Sequence, residues 1–160
     1  MTADERQEIR MNQEKVKVAI EICREGVSLP FYAKPGDAGM DVRAAIDITL
    51  APGETKIIPT GLKVAIPVGY EIQVRPRSGM SFKTPIRVAN APGTIDAGYR
   101  DEVGIILTNT SATESFAIAK DDRVAQFVLQ KVPMMEFEIV DDVSSIGENR
   151  GGGFGHTGSN

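Results

Sequence analysis

Tryptophan is absent from this 160-residue chain, histidine and cysteine occur once each, and aromatic residues make up only 6%. A single cysteine, Cys23, excludes an internal disulfide and a cysteine-based metal cage. A single histidine, His156, leaves no histidine-based catalytic triad and no His-rich metal site elsewhere in the chain. Basic runs are also missing, and the formal net charge is -4. Duplex nucleic acid calls for a basic face, so no nucleic-acid partner is expected. A small anion held by a few local cations remains compatible with this balance. No apolar stretch approaches the ~18 residues of a spanning helix. The opening "MTADERQEIRMNQEK" lacks the apolar core of a signal peptide. These absences set the expectation of a cytoplasmic protein with no membrane partner.

The residues present describe one ordinary domain, 41% apolar and 25% charged. Residues 1–14 are charged and unpatterned, and read as a flexible extension. From there the apolar period is two. Val16, Val18, Ile20 and Ile22 alternate with polar or small residues, as do Leu62, Val64 and Ile66. The same holds for Tyr70, Ile72 and Val74, and for Met135, Phe137 and Ile139 between Glu136 and Glu138. Strict alternation over short runs predicts half-buried strands. Pro-Gly pairs at Pro35-Gly36, Pro52-Gly53 and Pro92-Gly93, with Pro67-Val68-Gly69, punctuate the runs. An all-β sandwich or barrel over residues 15–143 follows. "SGMSFK" (78–83) predicts a short helix capped at Arg77-Ser78, and the glycine-rich stretch 144–160 a mobile arm outside the core.

Four polar clusters interrupt the strand pattern. "NAPGTIDAGYRDEV" sets an acid, Asp96, between Ile95 and Ala97 at the expected tip of a hairpin, three residues before Tyr99. An acid near glycines is most often a plain turn residue. An acid beside an aromatic plate also suits a sugar or nucleoside pocket. "RPRSGMSFK" reads either as a capped helix with a surface arginine or as an anion site built from Arg77, Ser78 and the backbone at Gly79. "KPGDAGMDVRAA" places Asp37 and Asp41 around Gly39. They are solvated turn acids, or oxygen ligands for a hard cation carried on phosphates. "RGGGFGHTG" is a linker, or a strip whose Phe154 stacks on a base while Arg150 meets phosphate.

Taken together and in order, these segments resemble the five motifs of the trimeric-type dUTPase family (deoxyuridine 5'-triphosphate nucleotidohydrolases). "DAGMDV", "PRSG", "GTIDAGYRDEV", "DDRVAQ" (121–126) and "GGFGHTG" match the motifs from first to fifth. The resemblance implies a β jelly roll, a homotrimer with shared active sites, and Mg2+-assisted hydrolysis of dUTP to dUMP and pyrophosphate. By the same resemblance Asp96 orients or deprotonates the attacking water, and Tyr99 lies under the deoxyribose. Asn90 and the backbone of Gly93, Thr94 and Ile95 read uracil. Arg77, Ser78, Gly79 and Gln126 hold phosphates, and Asp41 reaches Mg2+ through water. Phe154 with Gly155 caps the base, and Arg150 and Thr157 meet the γ-phosphate. Arg150 stands one residue nearer Phe154 than is usual, Asp101 replaces a common glycine, and Met40 a common aromatic. Two other functions share the resemblance. One is a dCTP deaminase-type enzyme, with Glu102 as the nearest candidate for its glutamate. The other is a nucleotide-gated regulatory protein on the same fold.

Overall fold

A computed structural model describes residues 14–149. Eleven strands run in this order among the described residues: β1 (Ala19–Ile22), β2 (Met40–Arg43), β3 (Ile48–Leu50), β4 (Thr55–Pro59), β5 (Leu62–Ala65), β6 (Tyr70–Arg75), β7 (Ile86–Val88), β8 (Gly93–Ile95), β9 (Gly104–Asn109), β10 (Phe116–Ile118) and β11 (Arg123–Lys131). The one helix among the described residues, α1 (Ser78–Lys83), separates β6 from β7. It forms where the sequence predicts, but Arg77 at its N-cap makes no side-chain capping bond. A 3-10 turn, Val143–Ser145, straddles the expected boundary between domain and arm.

All pairings are antiparallel. The strands make a four-stranded sheet β2–β11–β6–β8, a three-stranded sheet β4–β9–β7, and two ribbons, β1–β5 and β10–β3. This is the all-β architecture that the alternation and the turn spacing predict, and the jelly roll that the family resemblance implies. The period-2 runs on β5, β6 and β9 send Leu62, Val64, Ile72, Val74, Ile105 and Leu107 inward, where they meet Val42, Ile58, Ile86, Val124 and Phe127 in one core. Burial of such side chains contributes about 1.5–3 kcal/mol each. Asn109, fully buried at the end of β9, is with Thr60 one of two buried polar residues among the described ones. Its Nδ2 donates to the carbonyls of Leu50 (3.1 Å), Ala51 (3.2 Å) and Glu114 (2.8 Å), and its Oδ1 accepts from the Ser111 amide (3.0 Å).

Three expectations need correction. The alternating run around Met135, Phe137 and Ile139 forms no strand, and Phe137 and Ile139 are 86% and 98% exposed. Alternation gives a segment the capacity to be half-buried, but a strand also needs an edge to pair with. The run from Val16 to Ile22 becomes a strand only over Ala19–Ile22, and all four of those residues are exposed. Asp96 does not sit at a hairpin tip. β8 pairs with β6 while β9 pairs with β4 and β7, so the Asp96–Tyr99 turn carries the chain from one sheet to the other.

Candidate functional site

That sheet-to-sheet crossing creates a cavity. Where β8 and β9 part, a space of about 180 Å³ is lined by Val74, Asn90, Gly93, Thr94, Ile95, Tyr99, Val103, Gly104 and Ile106. Asn90, Gly93, Thr94, Ile95 and Tyr99 are all expected base and sugar readers, so the fold gathers them into one place. The order β2–β11–β6–β8 makes β8 an edge strand. Alternate backbone N–H and C=O groups of an edge strand point away from its neighbour and offer hydrogen bonds to a planar edge laid beside them. Gly93 packs closely there, since a Cβ would stand 3.1 Å from Asn90 Nδ2 and 3.2 Å from Val74 Cβ. Tyr99 is 37% exposed, and its hydroxyl donates to the Glu102 carbonyl oxygen at 2.8 Å. The ring is therefore anchored by its far end and stays partly exposed. Asp96 follows Ile95 directly and is exposed, outside the cavity lining.

A second cluster centres on Asp41. Arg77 Nε donates to Asp41 Oδ1 (2.8 Å) and Arg77 Nη2 to Oδ2 (3.4 Å). Arg123 Nη1 donates to Oδ2 (3.2 Å), and Gln126 Nε2 to Oδ1 (3.3 Å). Partial burial pushes the Asp41 carboxyl up, but the Arg77 hydrogen bond and charge, then Gln126 and Arg123, outweigh it and hold the group below its ordinary range. An adjoining recess of about 330 Å³ is lined by Asp37, Gly39, Asp41, Arg43, Arg123 and Gln126, among others. Asp37 is occupied locally, accepting from the Lys34 amide at 2.7 Å. Sequence reasoning gave no role to Arg123. Its signal lay inside "DDRVAQ", three residues before Gln126 and so on the neighbouring stretch of β11.

Ser78 stands apart from both clusters, lining an open recess of about 520 Å³ with Gln73, Arg75, Pro76, Ser81, Ala91 and Pro92. Gly79 is exposed, and a Cβ on it would meet nothing within 4 Å. Arg150, Phe154, Gly155 and Thr157 lie outside the described residues.

The two main clusters share no residue, and the register explains why. Asp41, Gln126 and Arg75 occupy one row across the four-stranded sheet. Met40, Phe127, Val74 and Gly93 occupy the next row. Successive rows face opposite ways. The carboxylate–arginine cluster thus stands on the outer face, while the cavity draws on the row turned toward the core.

As a metal site the donor set is thin. Among the described residues no group of three or more His, Cys, Asp or Glu side chains is arranged to hold an ion. One carboxylate flanked by arginines suits a hydrated Mg2+ that arrives already bound to phosphates, not a cage built by the protein. Glu102 has its carboxylate engaged by the Arg24 guanidinium and the Gly61 amide, which leaves it poorly placed to serve as a deaminase base.

The dUTPase family model matches residues 25–158. The chain is 51% identical over 145 residues to a deoxyuridine 5'-triphosphate nucleotidohydrolase of Fusobacterium nucleatum, covering 89% of this chain and 98% of that one. It is 46% identical over 146 residues to the protein of the same name from Anaeromyxobacter, covering 88% and 98%. Among solved structures it is similar to a mutant of the Staphylococcus bacteriophage 80alpha dUTPase with dUpNHpp. That match has a TM-score of 0.80 at 27% identity and covers 89% of this chain and 98% of that chain. A mutant dUTPase of S. aureus phage phi11, described with a coordinated structural Mg(II) ion, matches with a TM-score of 0.74 at 26% identity, covering 79% and 98%.

Proposed function

The chain belongs to the dUTPase family, and on that premise we propose that it hydrolyses dUTP to dUMP and pyrophosphate at sites shared between copies of itself. It is an enzyme, a dUTP diphosphatase. The observation that carries the reading is the gathering of Asn90, Gly93, Thr94, Ile95 and Tyr99 around one cavity beside an open strand edge.

Each group then has a task that its surroundings suit. The β8 edge hydrogen-bonds the base, and a mispaired base leaves those backbone groups unsatisfied at a cost that discriminates strongly. Tyr99 packs its partly exposed ring under the deoxyribose and crowds a 2'-hydroxyl. Asp96, exposed just past the cavity, aligns a water on the α-phosphorus and takes its proton. Arg77, Ser78, the Gly79 backbone, Gln126 and Arg123 face the phosphate oxygens. Hydrolysis of a polyanion needs charge cancelled and the attack aligned more than it needs covalent chemistry. Asp41 would hold a hydrated Mg2+ through water, and the ion would supply further neutralisation of the triphosphate. The arm from residue 144 onward, with Arg150, Phe154, Gly155 and Thr157, closes over the bound nucleotide.

The two sheet faces support shared sites. One chain turns its base reader and its phosphate cluster in opposite directions, an arrangement suited to a nucleotide that takes each from a different copy. The exposed run from Met134 to Ile139 supports the same reading, because it offers an alternating apolar strip with nothing covering it among the described residues. A homotrimer in the cytoplasm is the assembly we infer.

The test is pyrophosphate release by the full-length protein from dUTP, run beside dCTP, dTTP and UTP, with and without EDTA. Release from dUTP alone, abolished by EDTA and restored by Mg2+, is expected. Ammonia from dCTP, or dUTP bound without turnover, would overturn the reading in favour of a deaminase or a nucleotide sensor.

A further inference from the structure

Residues 96–103 bridge the two sheets as an eight-residue loop whose polar positions are largely exposed. Tyr99 lies in its middle. What fixes the ring lies at the loop's far end. The Glu102 carboxylate accepts three bonds: Arg24 Nε to Oε1 (2.6 Å), Arg24 Nη2 to Oε2 (2.7 Å) and the Gly61 amide to Oε1 (2.8 Å). The Glu102 carbonyl in turn receives the Tyr99 hydroxyl at 2.8 Å. Neighbouring Val103 is pinned by its amide to the Leu62 carbonyl (2.8 Å) and by its carbonyl to Thr60 Oγ1 (2.7 Å).

Arg24 reaches this point because its own turn is seated on Gly61. The Cys23 amide donates to the Gly61 carbonyl at 2.9 Å, Gly61 has φ +71°, and a Cβ there would lie 2.5 Å from Val27 Cγ2. An exposed ion pair alone contributes little. A two-pronged guanidinium–carboxylate pair backed by a main-chain amide is different, since three donors leave the carboxylate one position. The chain of bonds ends on the wall of the nucleoside cavity.

We propose that Arg24 and Glu102 are positioning residues that hold the Tyr99 ring against the cavity and so set the discrimination between deoxyribose and ribose. The proposal rests on Tyr99 carrying the sugar. Neither residue touches the substrate; both act through the ring.

The experiment measures kcat/KM for dUTP and UTP in Glu102→Gln, Arg24→Ala and Arg24→Lys, with melting temperatures alongside. Small displacements of a positioning group cost large factors, so the dUTP:UTP ratio should fall about tenfold in Arg24→Ala and Glu102→Gln, mostly through KM. Arg24→Lys keeps the charge without the fork and should fall between, and it serves if the alanine variant does not fold. Adding Arg24→Ala to Tyr99→Phe should lower the ratio no further, because both break one chain of bonds. A lower melting temperature with an unchanged ratio would reduce the pair to a structural brace and overturn the proposal. If the unmodified enzyme fails to distinguish dUTP from UTP, the sugar role of Tyr99 fails instead. The clamp is then tested without nucleotide, by NMR of carbon-13-labelled tyrosine. Faster Tyr99 ring flips in Arg24→Ala support it, and unchanged flips overturn it.

Discussion

Under the proposed mechanism, Asp96→Asn separates chemistry from architecture. The Asp96 carboxylate is exposed and makes no hydrogen bond or ion pair among the described residues. Only its backbone carbonyl is used, accepting the Tyr99 amide at 3.1 Å, and an asparagine keeps that bond. The fold should therefore lose no more than about 0.5 kcal/mol, the ordinary range for a surface change. In a domain of this size that is a melting shift of about 2 °C. A positioned general base is worth about 10²–10⁴ in rate, or about 2.7–5.5 kcal/mol of barrier. The expected result is turnover down at least ~10²-fold, with melting temperature and affinity for a non-hydrolysable dUTP analogue nearly unchanged. Pyrophosphate release, calorimetric titration and thermal unfolding on one preparation decide it. Parallel loss of affinity and turnover would make Asp96 a sugar ligand. A drop of many degrees would mean the carboxylate supports the fold.

Asn109→Asp should cost about 3–5 kcal/mol, since three carbonyls lose their donors and face a carboxylate instead. Burial raises the folded pKa of the new acid, so the penalty is smallest below its unfolded value and grows as pH rises. Urea unfolding at pH 5 and pH 8 should show the larger loss at pH 8, and equal losses would refute the account. Asp41 has the opposite sign. Its pKa is held below the ordinary 3.8, so its pairs add stability above that value and lose it as pH falls through the folded one. Asp41→Asn should flatten the acid limb of stability below about pH 4. An unchanged acid limb would mean that Arg77 and Arg123 contribute nothing to the resting fold.

Local pattern carried most of the fold. The alternation at Leu62–Ile66 and Tyr70–Val74, and the short helix after Arg77, needed no knowledge of distant residues. The gathering of Asn90, Gly93 and Tyr99 was legible for the same reason, since ten consecutive positions contain them. What stayed hidden depends on pairing. Nothing near Asp96 tells that its flanking strands join different sheets, because register is a property of two segments. Arg24 and Glu102 are 78 positions apart, and neither belongs to a pattern before the fold brings them within 2.6 Å. The run around Phe137 was misread because periodicity records an amphipathic face without naming what covers it.

The hydrogen bonds from Arg77, Arg123 and Gln126 to Asp41 have a further consequence. In the resting protein Arg77 and Arg123, proposed here to meet phosphate, already hold an anion with Gln126, one tethered to the chain and so present at an effective concentration that a free ion in solution does not reach. A lone phosphate or sulfate competes with that tether one oxygen at a time. A triphosphate, already gripped by its base at another surface, competes as a tethered group itself. Occupancy of the cluster thus becomes a contest between two local concentrations, and a correct nucleoside raises one of them.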